Sequence, residues 1–184
     1  MAKIDFFSSD YFREEPRNEA LFGINDGKEE GEANRTAYTL VGNKERWNAV
    51  VENQDRVELI FQPLDGNIVI HPTPDTIYSM CDGMLYHTRE LLAFVELKVK
   101  NKEWLRENVE QLRSTIKLFC KNHDLKDFRI REAYAANRKH PHFHFSHKDL
   151  MQQFMNETHF RLKIQNQIKV KLLLLPQLNL LSVI

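Results

Sequence analysis

Glu96 and Lys98 stand two residues apart near the end of Leu91-Leu92-Ala93-Phe94-Val95-Glu96-Leu97-Lys98-Val99. The run is apolar enough to be a buried strand. Strand side chains alternate faces, so the carboxylate and the ammonium point the same way. Burying either charge is costly unless it is paired or bound to a metal. Asp82, beside Gly83 in the preceding apolar segment, can join them: a hairpin turning at His87 to Glu90 would bring Asp82 and Glu96 together at one end of a sheet. Carboxylates that meet repel each other, and a divalent cation relieves the repulsion. Mg²⁺ (or Mn²⁺) suits a few carboxylates, several waters and a phosphate oxygen. A lysine beside it can orient a water or stabilise negative charge on a phosphoryl group. The bland alternative is a surface ion pair on a half-exposed strand, which stabilises little. Apolar residues on both faces upstream of Glu96 favour the built site.

The surrounding pattern supplies elements to position these residues. Asn43 to Asn53 predicts a short helix, with Asn43 as N-cap, Glu45 in the first turn and Trp47, Val50 and Val51 on one face. Strand signals follow at Val57–Phe61, which the turn Pro63-Leu64-Asp65-Gly66 separates from Asn67–Ile70, and then at Ile77–Tyr86 and Leu91–Val99. From Lys102 to Asn122, Leu105, Val109, Leu112, Ile116 and Phe119 recur at steps of four and three, an amphipathic stripe for covering a sheet. Phe128–Ala135 predicts a further strand, His147–Asn156 a helix, and Phe160–Ile164 and Ile168–Leu172 two more strands. The order is that of one α/β domain, a mixed central sheet flanked by helices. Residues 1–35 are acidic and aperiodic and are expected to form an N-terminal arm with one short helix near Asp10 to Phe22. Residues 36–171 form the domain, and 172–184 an apolar tail.

Asp82 followed by Glu96-Leu97-Lys98 resembles the D…(D/E)xK signature of the PD-(D/E)xK nuclease superfamily, the restriction-endonuclease-like fold. Helix, three strands, helix, strand over roughly residues 43–136 is similar to that family's common core. The resemblance implies that Asp82 and Glu96 hold the metal with the main-chain carbonyl of Leu97, and that Lys98 serves catalysis. It also implies a functional role for Gln111, on the helix after the ExK strand, and DNA as substrate. The proline that names the family precedes Asp75, in the expected loop Pro74-Asp75, whereas Asp82 follows Cys81; Asp75 is a second candidate for the acid. Family members often add a glutamate from the helix before the first strand, for which Glu52 and Glu45 are available, with Asp65 at the turn a further choice. Each of these three also reads as a solvated carboxylate. Cys81-Asp82-Gly83-Met84-Leu85 and Phe94 to Lys98 together are similar to a pattern shared by certain bacterial proteins, a likeness that carries no activity.

Bulk properties set outer bounds. At 184 residues, 42% hydrophobic and 28% charged, the chain suffices for one domain with a real core. Net charge is zero, but residues 1–97 hold 9 Lys+Arg against 18 Asp+Glu, and residues 98–184 hold 17 against 8. Such asymmetry marks either a basic binding face or two halves that neutralise each other in the fold. Cys81 and Cys120 form no ligand spacing and are expected as reduced thiols. Met1 to Asp5 begins no apolar signal segment and Leu172–Leu175 is too short to span a bilayer, so a cytoplasmic protein off the membrane is expected. The apolar tail suggests either a strap completing the core or packing in a homodimer.

Other features have two readings each. His140, His142 and His144, sharing a face if extended, could bind Zn²⁺ or Ni²⁺; histidines in water around inward Phe143 and Phe145 fit equally simple physics. Arg138 and Lys139 directly after a strand could meet phosphates or face solvent. Trp104 could stack a base or be a buried helix-start aromatic. The functional expectation is a Mg²⁺-dependent deoxyribonuclease. The alternative is an inactive nuclease fold serving as a nucleic-acid-binding or protein-interaction component of a bacterial defence or mobile-element system.

Overall fold

The computed structural model describes residues 3–28, 36–88, 90–99, 104–139 and 147–172. It is mixed α/β, with two mixed sheets and, among the described residues, two α-helices. The larger sheet has the order β4-β5-β6-β7-β8: Ile60–Pro63, Gly83–His87, Leu91–Lys98, Ile130–Asn137 and Arg161–Ile164. β6 is its centre, antiparallel to β5 and parallel to β7, with Lys98 registered on Asn137. The smaller sheet has the order β2-β1-β3-β9: Tyr38–Leu40, Leu21–Asn25, Ala49–Glu52 and Gln167–Lys169.

The alternation along β6 sorts its side chains between two cores. Leu92 and Phe94 join Met84 and Tyr86 of β5 under helix α1 (Trp104–Asn122) and helix α2 (Lys148–Thr158), packed on Val109, Leu112, Ile116, Phe119 and Phe154. Leu91, Ala93, Val95 and Leu97 face the other way, against Phe22 and Ile24 of β1, Ala49 and Val51 of β3 and Ile168 of β9. Helices therefore cover one face of the central sheet and the second sheet covers the other, where the sequence suggested helices around a single sheet. By the same alternation Glu96 and Lys98 belong to the α1 face.

Four local expectations are corrected. The helix expected at 43–53 is a single 3-10 turn, Lys44–Arg46, followed by strand β3. Gly42 and Asn43 both have positive φ, and Asn43 makes no side-chain cap, so the turn ends at once. Val50 and Val51, β-branched, then suit the pleated pairing with β1. No helix forms at 10–22. The backbone of Arg17 bonds both ways with Leu59, and the N-terminal segment is built into the body: Phe6 is fully buried, and Leu21–Asn25 sits between β2 and β3. No strand forms at 67–70, where Ile68 N donates to Leu64 O, and the expected strand 77–86 is regular only from Gly83. The β5–β6 hairpin, the long α1, β7, α2 and β8 stand as expected. The histidine cluster at 140–146 and the tail beyond residue 172 lie outside the described residues. No helix among the described residues is long and apolar enough to cross a membrane.

Candidate functional site

The hairpin places Asp82 immediately before β5, opposite Glu96. The two segments are stitched by their own site groups. Leu97 N donates to Asp82 Oδ2 at 2.6 Å, and Asp82 N donates to Glu96 Oε2 at 3.2 Å. Both acids are buried; Glu96 is 0% exposed. Lys98 Nζ donates to Glu96 Oε1 at 2.5 Å, and Lys28 Nζ donates to Asp82 Oδ1 at 3.3 Å. Lys28 also lies 3.8 Å from Asp65. The contacts thus run Asp65–Lys28–Asp82–Glu96–Lys98, with the two buried acids side by side and a lysine on either side of the pair.

Gly83 is required beside Asp82 for steric reasons. A Cβ there would stand 2.5 Å from the Phe61 ring and 3.0 Å from the Gln62 carbonyl. The absence of a side chain lets β4 close on β5 next to the site. From the other side, α1 clamps the approach to Asp82. Gln111 Nε2 donates to Ser79 Oγ at 3.2 Å and Met80 O at 3.3 Å, and Thr115 Oγ1 accepts from Cys81 N at 2.8 Å. Gln111 therefore holds the segment leading into Asp82, and no contact with either carboxylate is seen among the described residues. One turn earlier on the helix, Asn108 is fully buried with neither side-chain polar atom hydrogen-bonded among the described residues.

The electrostatics follow from this burial. Desolvation pushes the Glu96 carboxyl up to about 8; Asp82 adds to the rise and Lys98 opposes it. Burial likewise raises Asp82, against the pull of Lys28, the Leu97 amide and Lys98. For Lys28, burial works to lower the ammonium, yet Asp82 and Asp65 outweigh it and the net shift is upward. Cys81, buried beside the acids, is held well above the ordinary thiol range by desolvation first and by Glu96 and Asp82 next. Cys81 and Cys120 are both free, and at Cys81 the inert neutral thiol prevails.

The residues fit a small divalent cation. Two buried carboxylates whose ionisation is suppressed by burial gain from an added positive charge, and Mg²⁺ asks for only one or two carboxylates besides water and phosphate. Among the described residues no cluster of three or more acidic, histidine or cysteine ligands occurs. Of the additional ligand candidates, Asp65 is linked to the site through Lys28. Glu52 instead faces β9, accepting from Gln167 Nε2 and lying 4.0 Å from Lys169. Glu45 contributes its carbonyl, which accepts from Arg138 Nη1 at 2.6 Å. Asp75 is exposed in the 73–76 turn, apart from the hairpin. At Leu97 the group in contact with the site acids is the amide, bonded to Asp82.

Arg138 N donates to Lys98 O at 3.1 Å, so Arg138 and Lys139, both exposed, border the same end of β6 and β7. Trp104 is 3% exposed and packs into the α1 core, which leaves the buried-aromatic reading and removes base stacking. Lys28 is the member that sequence reasoning missed. It lies in a segment that reads only as an acidic loop, and its partner is 54 residues away.

Comparison with known proteins places nothing beside this chain: no protein-family model, no curated protein and no solved structure matches it.

Two predictions arise here. Because burial raises both acids, the folded protein binds more protons than the unfolded chain between about pH 4.5 and pH 8. The contribution of these two acids to metal-free stability is therefore fully present below about pH 4.5 and falls as pH rises through that window, by on the order of 1–3 kcal/mol. Thermal melts in EDTA should show Tm dropping from pH 5 to 8, and Glu96→Gln should flatten the slope; a Tm that rises over that range contradicts the account. Second, Asn108→Leu removes an unsatisfied buried amide at similar volume. It should stabilise by about 1 kcal/mol, read from the urea midpoint.

Proposed function

We propose that this chain is a metal-dependent nuclease of the PD-(D/E)xK type, hydrolysing phosphodiester bonds in DNA. The observation that carries the reading is the buried Asp82–Glu96 pair at the end of the central strand, with Lys98 bonded to Glu96 at 2.5 Å. A restriction-endonuclease-like core fits the β4–β5–β6 antiparallel strands, the α1 crossover and the parallel β7. Asp82 and Glu96, with the Leu97 carbonyl, would hold Mg²⁺ or Mn²⁺. When bound, the ion supplies Lewis-acid stabilisation of phosphoryl oxygen and eases ionisation of water. Lys98 stands where its ammonium can orient the attacking water or meet the charge that develops on the phosphoryl group. Gln111 is a positioning residue that fixes the segment before Asp82. Arg138 and Lys139 border the site with exposed positive charge suited to the flanking phosphates.

The test is incubation of supercoiled plasmid and single-stranded DNA with the wild-type protein in Mg²⁺ or Mn²⁺. Metal-dependent nicking that chelator stops is expected. Protein as inert as its Glu96→Ala variant under every condition would sink the catalytic reading.

A second reading has one specific observation behind it. Lys28 is already bonded to Asp82, and Lys98 to Glu96, so each acid has a cationic partner without metal. In that case the fold is a non-catalytic nucleic-acid-binding or protein-interaction component. Salt-sensitive DNA retention on filters without turnover would support it, and absence of retention at low salt would point to protein partners.

A further inference from the structure

The two acids of the site are each held in two unequal ways. One oxygen of each is tied to backbone: Asp82 Oδ2 accepts from Leu97 N at 2.6 Å, and Glu96 Oε2 accepts from Asp82 N at 3.2 Å. The other oxygen of each accepts from a lysine, and the two lysines differ. Lys98 Nζ stands 2.5 Å from Glu96 Oε1, with its side chain 18% exposed. Lys28 Nζ stands 3.3 Å from Asp82 Oδ1, with its side chain 50% exposed. Charge-assisted N–H···O bonds are ordinarily about 2.7–2.9 Å. The Lys28 contact is therefore the loose one, and solvent reaches it.

Buried amides set Lys28 in place. Asn25, the last residue of β1, accepts at Oδ1 from Gly27 N at 2.8 Å, and Asn48 Oδ1 accepts from Asp26 N at 3.1 Å. Both asparagines are buried. Gly27 has φ 69°, in the left-handed region that favours glycine, and Lys28 N donates to Asp26 Oδ1 at 3.1 Å. The backbone up to Lys28 is thus fixed, while its flexible stem leaves the ammonium a choice of partners. A second carboxylate is within reach. Asp65 Oδ2 lies 3.8 Å from Nζ and is half-exposed. By leaning onto Asp65 the ammonium can clear Asp82 Oδ1 without losing its counter-charge.

We propose that Lys28 is a displaceable counter-ion of the candidate metal site: its ammonium holds the Asp82 side in the metal-free protein, and a divalent cation binds by driving it onto Asp65. The inference rests on the metal-binding reading of Asp82 and Glu96. Two cations at one carboxylate oxygen repel, so lysine and metal compete, and Lys28 sets how much free cation the site requires. The experiment measures Mg²⁺ binding to the full chain by calorimetry, at a pH above the Glu96 value of about 8, where protons compete least. Loss of binding in Glu96→Gln assigns it to this site. Lys28→Met should bind Mg²⁺ at least ~10-fold more tightly than wild type. Lys126→Met, which removes an exposed lysine paired with Asp124, should leave the affinity unchanged. Asp65→Asn should weaken binding several-fold while Lys28 is present, because the ammonium then has Asp82 alone, and should change nothing in the Lys28→Met background. Should Lys28→Met not fold by circular dichroism, Lys28→Gln, uncharged but still a donor, decides with the same expected direction. Equal or weaker affinity in the folded Lys28 variant, equal tightening by Lys126→Met, or an Asp65→Asn loss that persists without Lys28 overturns the inference and leaves the metal reading standing. No Mg²⁺ binding by any of these proteins overturns both.

Discussion

Glu96→Gln and Lys98→Ala should each lower metal-dependent DNA cleavage at least ~10³-fold, with the fold retained by circular dichroism. The two changes act on different groups. Glutamine keeps the shape of Glu96 and the donor to it but removes the charge that attracts a cation, so metal affinity falls with activity. Alanine at 98 leaves the carboxylates in place and strips the ammonium 2.5 Å from Glu96. Metal affinity should then hold or rise while turnover is lost. Single-turnover cleavage with metal titration separates the two effects. Loss of metal binding in both variants, or retention of turnover in either, contradicts the roles assigned. The rise of Glu96 to about 8 adds a pH sign. Ionised Glu96 is the form a cation needs, so on the proposed reading activity at limiting metal should climb from pH 6 to pH 8, and excess metal should move the climb to lower pH.

The second large effect is on stability. Phe94 is fully buried in the middle of β6, edge-on to Phe119 of α1 (5.4 Å between ring centroids) and to Phe160 (5.5 Å). Phe94→Ala removes one ring from a set that ties the central strand to the helix layer, and the rigid surroundings cannot collapse on the space. A loss of about 3–5 kcal/mol is expected, measured by urea denaturation. Leu105→Ala, on the edge of the same helix stripe and only half-buried, should cost far less. Equal losses at the two positions would mean that the aromatic cluster is not what fastens α1.

The parts of the molecule that were legible are the ones whose signal is local. The Asp82–Glu96 juxtaposition needs a hairpin of short span, and both arms advertise it with apolar runs around a turn. Helix α1 shows its stripe, Leu105 to Phe119, over about four turns. The second sheet has no such signal. Its β3–β9 pairing joins Val50 to Gln167 and Glu52 to Lys169, segments of three and four residues more than a hundred apart. The 43–53 segment misleads for a physical reason: Trp47, Val50 and Val51 fit one face of a helix, whereas the strand that forms buries Ala49 and Val51 on one face and turns Val50 to the other. Tertiary pairing with β1 decides the matter. Lys28 belongs to the same class of hidden partner, a cation from one layer that reaches an acid of the other.

The contrast in span has a kinetic consequence. Asp82 and Glu96 come together by closing a loop of fourteen residues, whereas β3 and β9 meet only after a loop of about 115 has closed. Loop-closure entropy favours the first event by a wide margin. The acidic pair can therefore assemble before β9 joins β3 and completes the second sheet, which covers Leu91, Ala93, Val95 and Leu97. During synthesis, the outer edge of β6 stays open until β7 is made, and for that interval the strand carrying the candidate chemistry is also the one most exposed to pairing with the wrong partner.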